Sequence, residues 1–309
     1  MALLLRTSSS RGPWWRGEFA RELPDLDFRV HPEVGDPKDI EYALVWDPPA
    51  GLLASLPNLK AIFSLGAGVD HLFKDPQLPR HVPIVRLVDE RLTGQMVEYA
   101  MLYALYFHRA IPTYEAQQKT KTWKESPLKL ISERRVGVMG IGEIGGAAAR
   151  ALKGIGFDVA GWSRSPKVID GIKTYAGADG LGPFLARTDI LVCILPLTAE
   201  TTDILNAKLF AAMPQGSYLI NIGRGRQLVE QDLVAALDSG HIAGAALDVF
   251  RTEPLPPESP LWAHPKIVVT PHIAAMTDPR SSVLQVVANI KRIRAGQAPI
   301  NQIDSKRGY

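Results

Sequence analysis

The segment RRVGVMGIGEIGGAAAR places Gly140, Gly142 and Gly145 in G-x-G-x-x-G spacing. It follows an apolar run and leads into an Ala-rich stretch, the strand-to-helix context in which the spacing has a mechanism. Gly140 permits a tight turn, Gly142 lets a pyrophosphate approach the backbone, and Gly145 lets the helix pack on the strand. Glu143 and Ile144 open that helix, where unpaired N–H groups and the positive dipole end favour an anion.

Roughly twenty residues beyond such a turn, a nucleotide-binding chain often places an acid that accepts from a ribose 2′-OH. Here the next apolar run ends in GWSRSPK, which offers Ser163, Arg164, Ser165 and Lys167 instead. A carboxylate there would repel a 2′-phosphate, whereas a guanidinium binds one in a bidentate fork. The serine hydroxyls add donors and Lys167 a point charge. The segment therefore predicts NADP(H) as the preferred cofactor, with NAD(H) possible.

Three further fragments end apolar runs. LINIGRGRQL sets Arg224 between two glycines, ALDVFRTEPLP sets Asp248 at a strand end and Glu253 in the loop beyond, and VVTPHIAA sets His272 behind a proline. Ligands of open α/β sheets bind beyond the carboxyl ends of the strands, so these fragments can converge. Nearer the N-terminus, SLGAGVDHL flanks Ala67 with Gly66 and Gly68, whose backbone N–H groups suit an anion nest. Trp46 ends the preceding strand and is placed to wall a small pocket. Met96 reads as helix core in preference to a cleft residue.

The elements that must carry these residues form two α/β series. Short apolar runs (ALLLR, FRVH, YALVW, AIFSL, PIVRL) alternate with polar or Pro-rich segments over the first 90 residues. A second series runs through RRVGVMG, DVAGWS, DILVCIL, SYLINI, GAALDVF and KIVVT, with helices over 143–154, 229–239 and 280–295. Strands alternating with crossovers predict parallel sheets. The expected fold is α/β, with two Rossmann-like or flavodoxin-like parallel-sheet domains and a cleft between them. Residues 1–98 plus 281–309 are expected to form the substrate domain and 99–280 the dinucleotide-binding domain. A long apolar helix starts near Thr93, and Pro112 is expected to end or kink it.

Composition excludes several classes. With 46% hydrophobic and 22% charged residues, the 309-residue chain is ordinary globular material. A net charge of +3, from 35 basic and 32 acidic residues, is too mild to argue for nucleic acid. The single cysteine, Cys193, lies in an apolar run and reads as a buried small hydrophobe; no metal site is expected. The N-terminal apolar run is too short for a signal peptide or a membrane span, so a cytoplasmic protein without a membrane partner is expected.

The four motifs G-x-G-x-x-G, NIGRG, DVFRTEP and TPHIA, in that order over nearly the whole chain, resemble those of the D-isomer-specific 2-hydroxyacid dehydrogenases. The resemblance implies that Arg224, Glu253 and His272 are the catalytic trio. It also implies that Asp248 contacts the nicotinamide end, and that LPLTAETT, with Leu195 and Pro196, lines the cofactor cleft. The 66–68 loop is then expected to hold a substrate carboxylate. The residue chemistry agrees: Arg224 can anchor a 2-oxo acid, His272 can donate a proton, and Glu253 can fix its tautomer.

The chain is further similar to the glyoxylate/hydroxypyruvate reductase A branch, through LGAGVDH, TGQMVEY, YEAQQKTKTW and WSRS. That branch implies reduction of small 2-oxo acids, and the family implies a homodimer. Where the branch carries a basic residue after the Thr of AAMT, this chain has Asp278; facing the pocket, it would oppose an anionic substrate. Glu253 argues against the formate dehydrogenases, whose His pairs with Gln. A regulatory domain after NQIDSKRGY, of the kind many phosphoglycerate dehydrogenases carry, is not expected. A dehydrogenase for another D-2-hydroxy acid, or a nucleotide-sensing corepressor-like protein of the same fold, stands as the alternative.

Overall fold

A computed structural model describes residues 1–7, 12–87 and 90–304. The elements, in chain order, begin with β1 (Ala2–Arg6), α1 (Gly12–Glu22), β2 (Asp27–Val30), β3 (Ile40–Val45), β4 (Ala61–Ser64), β5 (Ile84–Val85), α2 (Glu90–His108) and α3 (Ile111–Lys119). Then follow β6 (Arg135–Met139), α4 (Glu143–Gly154), β7 (Asp158–Ser163), β8 (Lys173–Ala176), α5 (Gly177–Ala186), β9 (Ile190–Cys193) and α6 (Ala207–Ala211). The series closes with β10 (Ser217–Asn221), α7 (Glu230–Asp238), β11 (Ile242–Leu247), β12 (Ile267–Val269) and α8 (Pro279–Arg294).

The chain divides into two compact units, one of Met1–Leu92 with Met276–Tyr309 and one of Thr93–Ala275. In the first, the parallel strands run in the order β2-β1-β3-β4-β5. Such strands are buried on both faces, which is why they read as continuous apolar runs. On one face Trp15 and Phe19 of α1 pack with Val283, Val286, Val287 and Ile290 of α8. The other face is covered by Leu53, Leu56, Val69, Leu72 and Leu78 from connecting segments.

The second unit holds a seven-stranded sheet in the order β12-β11-β10-β9-β6-β7-β8, with parallel pairing throughout. The order reverses at β6, which lies between β7 and β9. That is the switch point where α/β sheets open a crevice beyond their strand ends.

Three elements depart from the sequence-based expectation. Helix α2 ends at His108, ahead of Pro112. Ala110 turns the chain with φ 54°. Pro112 falls in the first turn of α3, where a missing N–H has no helical partner to lose. β8 and α5 lie in a stretch with no strand or helix reading, because KTYA is short and partly exposed and GADGLGPFLA carries three glycines and Pro183. Among the described residues, no helix is long and apolar enough to cross a membrane.

Candidate active site

The glycine turn joins β6 to α4. Gly140 has φ 105°, and a Cβ there would lie 2.6 Å from the Ile194 carbonyl oxygen. A Cβ at Gly145 would lie 2.0 Å from the Gly140 oxygen, so the helix can approach the turn only without one. Gly142 differs: a Cβ there meets nothing within 4 Å, so the chain's own packing does not require a glycine at this position. Gly142 is also the N-cap of α4 and offers no side chain to the first turn. Glu143 and Ile144 follow it, and their N–H groups belong to that uncapped turn. The turn fits the diphosphate of a dinucleotide.

Beyond β7, the SRSPK segment is exposed at Arg164, Ser165 and Lys167, while Ser163 is buried. The Ser163 hydroxyl donates to the Ser165 carbonyl at 2.8 Å, so it braces the turn from within. Lys167 Nζ donates to the Ile141 carbonyl at 3.3 Å, which ties this segment to the glycine turn. The Glu200 carboxyl is held below its usual range, chiefly by the Thr198 hydroxyl and in part by the charge of Arg164. Arg164 therefore stands near the 195–202 segment.

His272 follows β12 with φ 55°, a left-handed conformation uncommon for a side chain of this size. Asp248, at the end of β11, holds it there. The Asp248 carbonyl accepts the His272 N–H at 2.9 Å. Its carboxylate accepts the Ile273 and Ala274 N–H groups at 2.8 Å each and the Thr270 hydroxyl at 2.6 Å. Because that carboxylate only accepts, Thr270 must donate to it. Tyr99 OH, 2.6 Å from Thr270 Oγ1, must then donate to Thr270. Asp248 is 1% exposed and acts here as the anchor of the His272 loop.

Glu253 lies on the loop after β11. One oxygen accepts the Phe250 N–H at 3.0 Å and the other meets His272 Nδ1 at 2.7 Å. Burial would raise the Glu253 carboxyl, but the bond and charge of His272, the Phe250 N–H and the Arg224 charge hold it below its usual range. The pair thus has a stable carboxylate on Nδ1, which directs the ring's other nitrogen away from Glu253.

Arg224 follows β10, in a turn wedged against the Glu253 loop: a Cβ on Gly225 would lie 1.8 Å from the Phe250 carbonyl carbon. The Arg224 guanidinium donates to the Gly223 carbonyl at 2.8 Å, and the Arg224 N–H donates to Gln227 Oε1 at 2.9 Å. Gln227, which no sequence pattern singles out, also donates to the carbonyls of Leu195 and Pro196 at 2.9 and 3.1 Å. Leu195 is buried and Pro196 exposed.

The first unit holds the remaining candidates. The Trp46 ring lies over the loop after β4, so that a Cβ on Gly66 would sit 3.0 Å from it. Trp46 also meets His71, with ring centroids 4.4 Å apart. The Gly66 N–H donates weakly to Ser64 Oγ at 3.3 Å, and Ser64 donates to the Gly68 carbonyl at 2.8 Å. Ser64 thus braces the loop, with Ala67 and Gly68 half-buried. In the second unit, Met96 is buried at 9% exposure.

A family model described as the NAD binding domain of D-isomer specific 2-hydroxyacid dehydrogenases matches residues 101–274. The chain belongs to that dehydrogenase family. It is 42% identical over 300 residues, 96% of each chain, to a glyoxylate/hydroxypyruvate reductase A of Serratia proteamaculans. Among solved structures, it is similar to a D-isomer specific 2-hydroxyacid dehydrogenase from Xanthobacter autotrophicus Py2 in complex with NADPH and MES, with a TM-score of 0.95, 44% identity and coverage of 100% and 99% of the two chains. It is also similar to the NADPH-dependent glyoxylate/hydroxypyruvate reductase of Sinorhizobium meliloti in complex with NADP and sulfate, with a TM-score of 0.93, 40% identity and the same coverage.

In this dehydrogenase chain Asp278 is the N-cap of α8, accepting the Arg280 N–H at 3.0 Å. It pairs with Arg91 at 2.5 Å and with Arg280 at 3.4 Å. Burial would raise its carboxyl, but the Arg280 N–H and the two guanidiniums hold it below its usual range. Its negative charge is therefore matched within the first unit by two cations.

Proposed function

We propose that this dehydrogenase reduces small 2-oxo acids, glyoxylate and hydroxypyruvate first, using NADPH. The observation that carries the reading is the His272–Glu253 pair at 2.7 Å, whose Glu253 loop is wedged against the Arg224 turn. The names and bound nucleotides of the relatives point the same way.

When bound, the reduced nicotinamide supplies a hydride to the keto carbon. The chain's own residues do the rest. Arg224 is a permanent cation that holds the acid by its carbonyl and carboxylate. His272, kept in one tautomer by Glu253 on Nδ1, delivers a proton from Nε2 to the developing alkoxide. Asp248 sets the backbone of the His272 loop and, in this reading, stands at the nicotinamide end, with Leu195 and Pro196 beside the nucleotide. Gly140, Gly142, Gly145 and the N-terminus of α4 hold the diphosphate, and Arg164, Ser165 and Lys167 the 2′-phosphate. Gly66, Ala67, Gly68 and Trp46 form the carboxylate-binding loop of the first unit.

The test is a matrix of steady-state rates with glyoxylate, hydroxypyruvate and pyruvate, each with NADPH and with NADH. Fast NADPH oxidation with either of the first two supports the proposal. Turnover of pyruvate alone would replace the substrate class, and absence of turnover with every pair would overturn the reaction.

We also propose a cytoplasmic homodimer assembled through the second unit. There Leu102 is 58%, Leu130 68% and Trp123 98% exposed. Leu102 stands on α2, whose apolar residues cover much of its circumference, so that a second copy against it would complete the burial of that helix. Light scattering at the mass of one chain would overturn it.

A further inference from the structure

We propose that Gln227 is a positioning residue for Arg224, clamping it by both backbone polar groups and tying it to the 195–196 segment. This rests on the reading of Arg224 as the substrate anchor.

Gln227 is wholly buried. Its Oε1 accepts the Arg224 N–H at 2.9 Å, while its own backbone N–H donates to the Arg224 carbonyl at 3.2 Å. The peptide groups on both sides of the Arg224 Cα are thus bound to one residue, which fixes the direction in which the Arg224 side chain leaves the chain. The amide's other end donates to Leu195 and Pro196, immediately after β9. The Cys193 thiol, 3.6 Å from Oε1, adds a weak donor. A primary amide has two N–H groups and one carbonyl, and here every one is engaged.

The clamp has no slack on its other sides. A Cβ on Gly223 would lie 2.5 Å from Gln227 Oε1, so a side chain there would have to displace the amide. Gly225 is wedged against the Phe250 backbone, and the Phe250 N–H in turn holds Glu253. A side chain that only filled space at this position would need neither a donor nor an acceptor. The paired use of both, on two different strand ends, is what assigns Gln227 a positioning role.

The experiment is a double-mutant cycle with Gln227→Leu and Arg224→Ala, reading kcat and KM for the 2-oxo acid, together with amide hydrogen exchange over 222–228. Gln227→Leu is expected to lower kcat/KM on the order of thirtyfold, mostly through KM, and to speed exchange of the Arg224 N–H. In the Arg224→Ala background the same change is expected to cost less than about threefold, because the residue it positions is gone. Gln227→Glu keeps the acceptor toward Arg224 and loses both donors, so it serves as a second variant if the leucine form does not fold. Unchanged kcat/KM in Gln227→Leu, or an equal loss in both backgrounds, overturns the positioning role alone. Full activity in Arg224→Ala overturns the anchor reading and the clamp with it.

Discussion

Glu253 holds His272 by Nδ1 at 2.7 Å while its second oxygen is fixed by the Phe250 N–H, so neither the carboxylate nor the ring is free to rotate. The Glu253 carboxyl is held below the ordinary glutamate value of 4.5. Such a group acts as a carboxylate at every pH above that ordinary value, and loses the action only as pH falls through the depressed one. Glu253 should therefore contribute no acid limb to kcat/KM above about pH 5. A limb in that range that vanishes in Glu253→Gln would refute the assignment.

Replacing the ring itself tests the proton donor. His272→Ala should lower kcat by about 10²–10⁴-fold while leaving NADPH affinity within a few-fold, because general acid catalysis contributes at that scale. Full turnover in the variant would remove His272 from the mechanism.

The glycine turn makes a paired prediction. Gly142→Ala adds a methyl into open space, so its thermal midpoint should match the wild type. NADPH binding should nevertheless weaken at least about tenfold, for want of close backbone approach. Gly145→Ala must push a methyl against the Gly140 carbonyl, and should lower stability by roughly 2–3 kcal/mol. Denaturant titration and nucleotide fluorescence, run on both, separate the two effects. Equal behaviour of the variants would contradict the assigned division of roles.

The glycine turn was legible in the sequence because its spacing answers to sterics: Gly140 needs a positive φ, and Gly145 sits where any Cβ collides. The strands were legible because burial on both faces demands unbroken apolar runs. Gln227 was not, because three of the groups that it binds are backbone atoms of Arg224, Leu195 and Pro196, which a sequence does not distinguish from any others. The Tyr99–Thr270 bond spans 171 residues and joins two types that are common in cores and turns. The inward use of Ser163 was hidden for a related reason, since a hydroxyl at a strand end reads equally well as a ligand donor or a turn brace.

Acid stability turns on a different carboxylate. Asp189, at the base of β9, takes the Arg135 guanidinium at 2.6 and 3.2 Å and the Arg135 N–H at 3.1 Å. Burial would raise its carboxyl, but these bonds and the charges of Arg135 and Lys129 hold it below the ordinary 3.8. The stabilisation is thus complete above that value and is lost as pH falls through the depressed one. Asp189→Asn should cost about 1.5–3 kcal/mol at neutral pH and flatten the fall in stability below about pH 4. An unchanged acid unfolding curve would show that the pair contributes nothing.

The proposed recognition of the 2′-phosphate rests on Arg164. Arg164 is exposed at the end of β7, with Lys167 bound back to the glycine turn and Ser163 buried. If a 2′-phosphate is recognised here, Arg164 and Ser165 supply most of the contact, since the Ser163 hydroxyl already donates within the turn. A charged hydrogen bond contributes about 1.5–3 kcal/mol, which is roughly tenfold to hundredfold in affinity. Arg164→Glu should reverse that sign, raising KM for NADPH by at least this factor and leaving KM for NADH nearly unchanged. The ratio of kcat/KM for the two nucleotides, measured at one saturating acid concentration, reads the effect directly. A ratio that does not move would reduce GWSRSPK to a solvated turn and place 2′-phosphate selection elsewhere in the second unit.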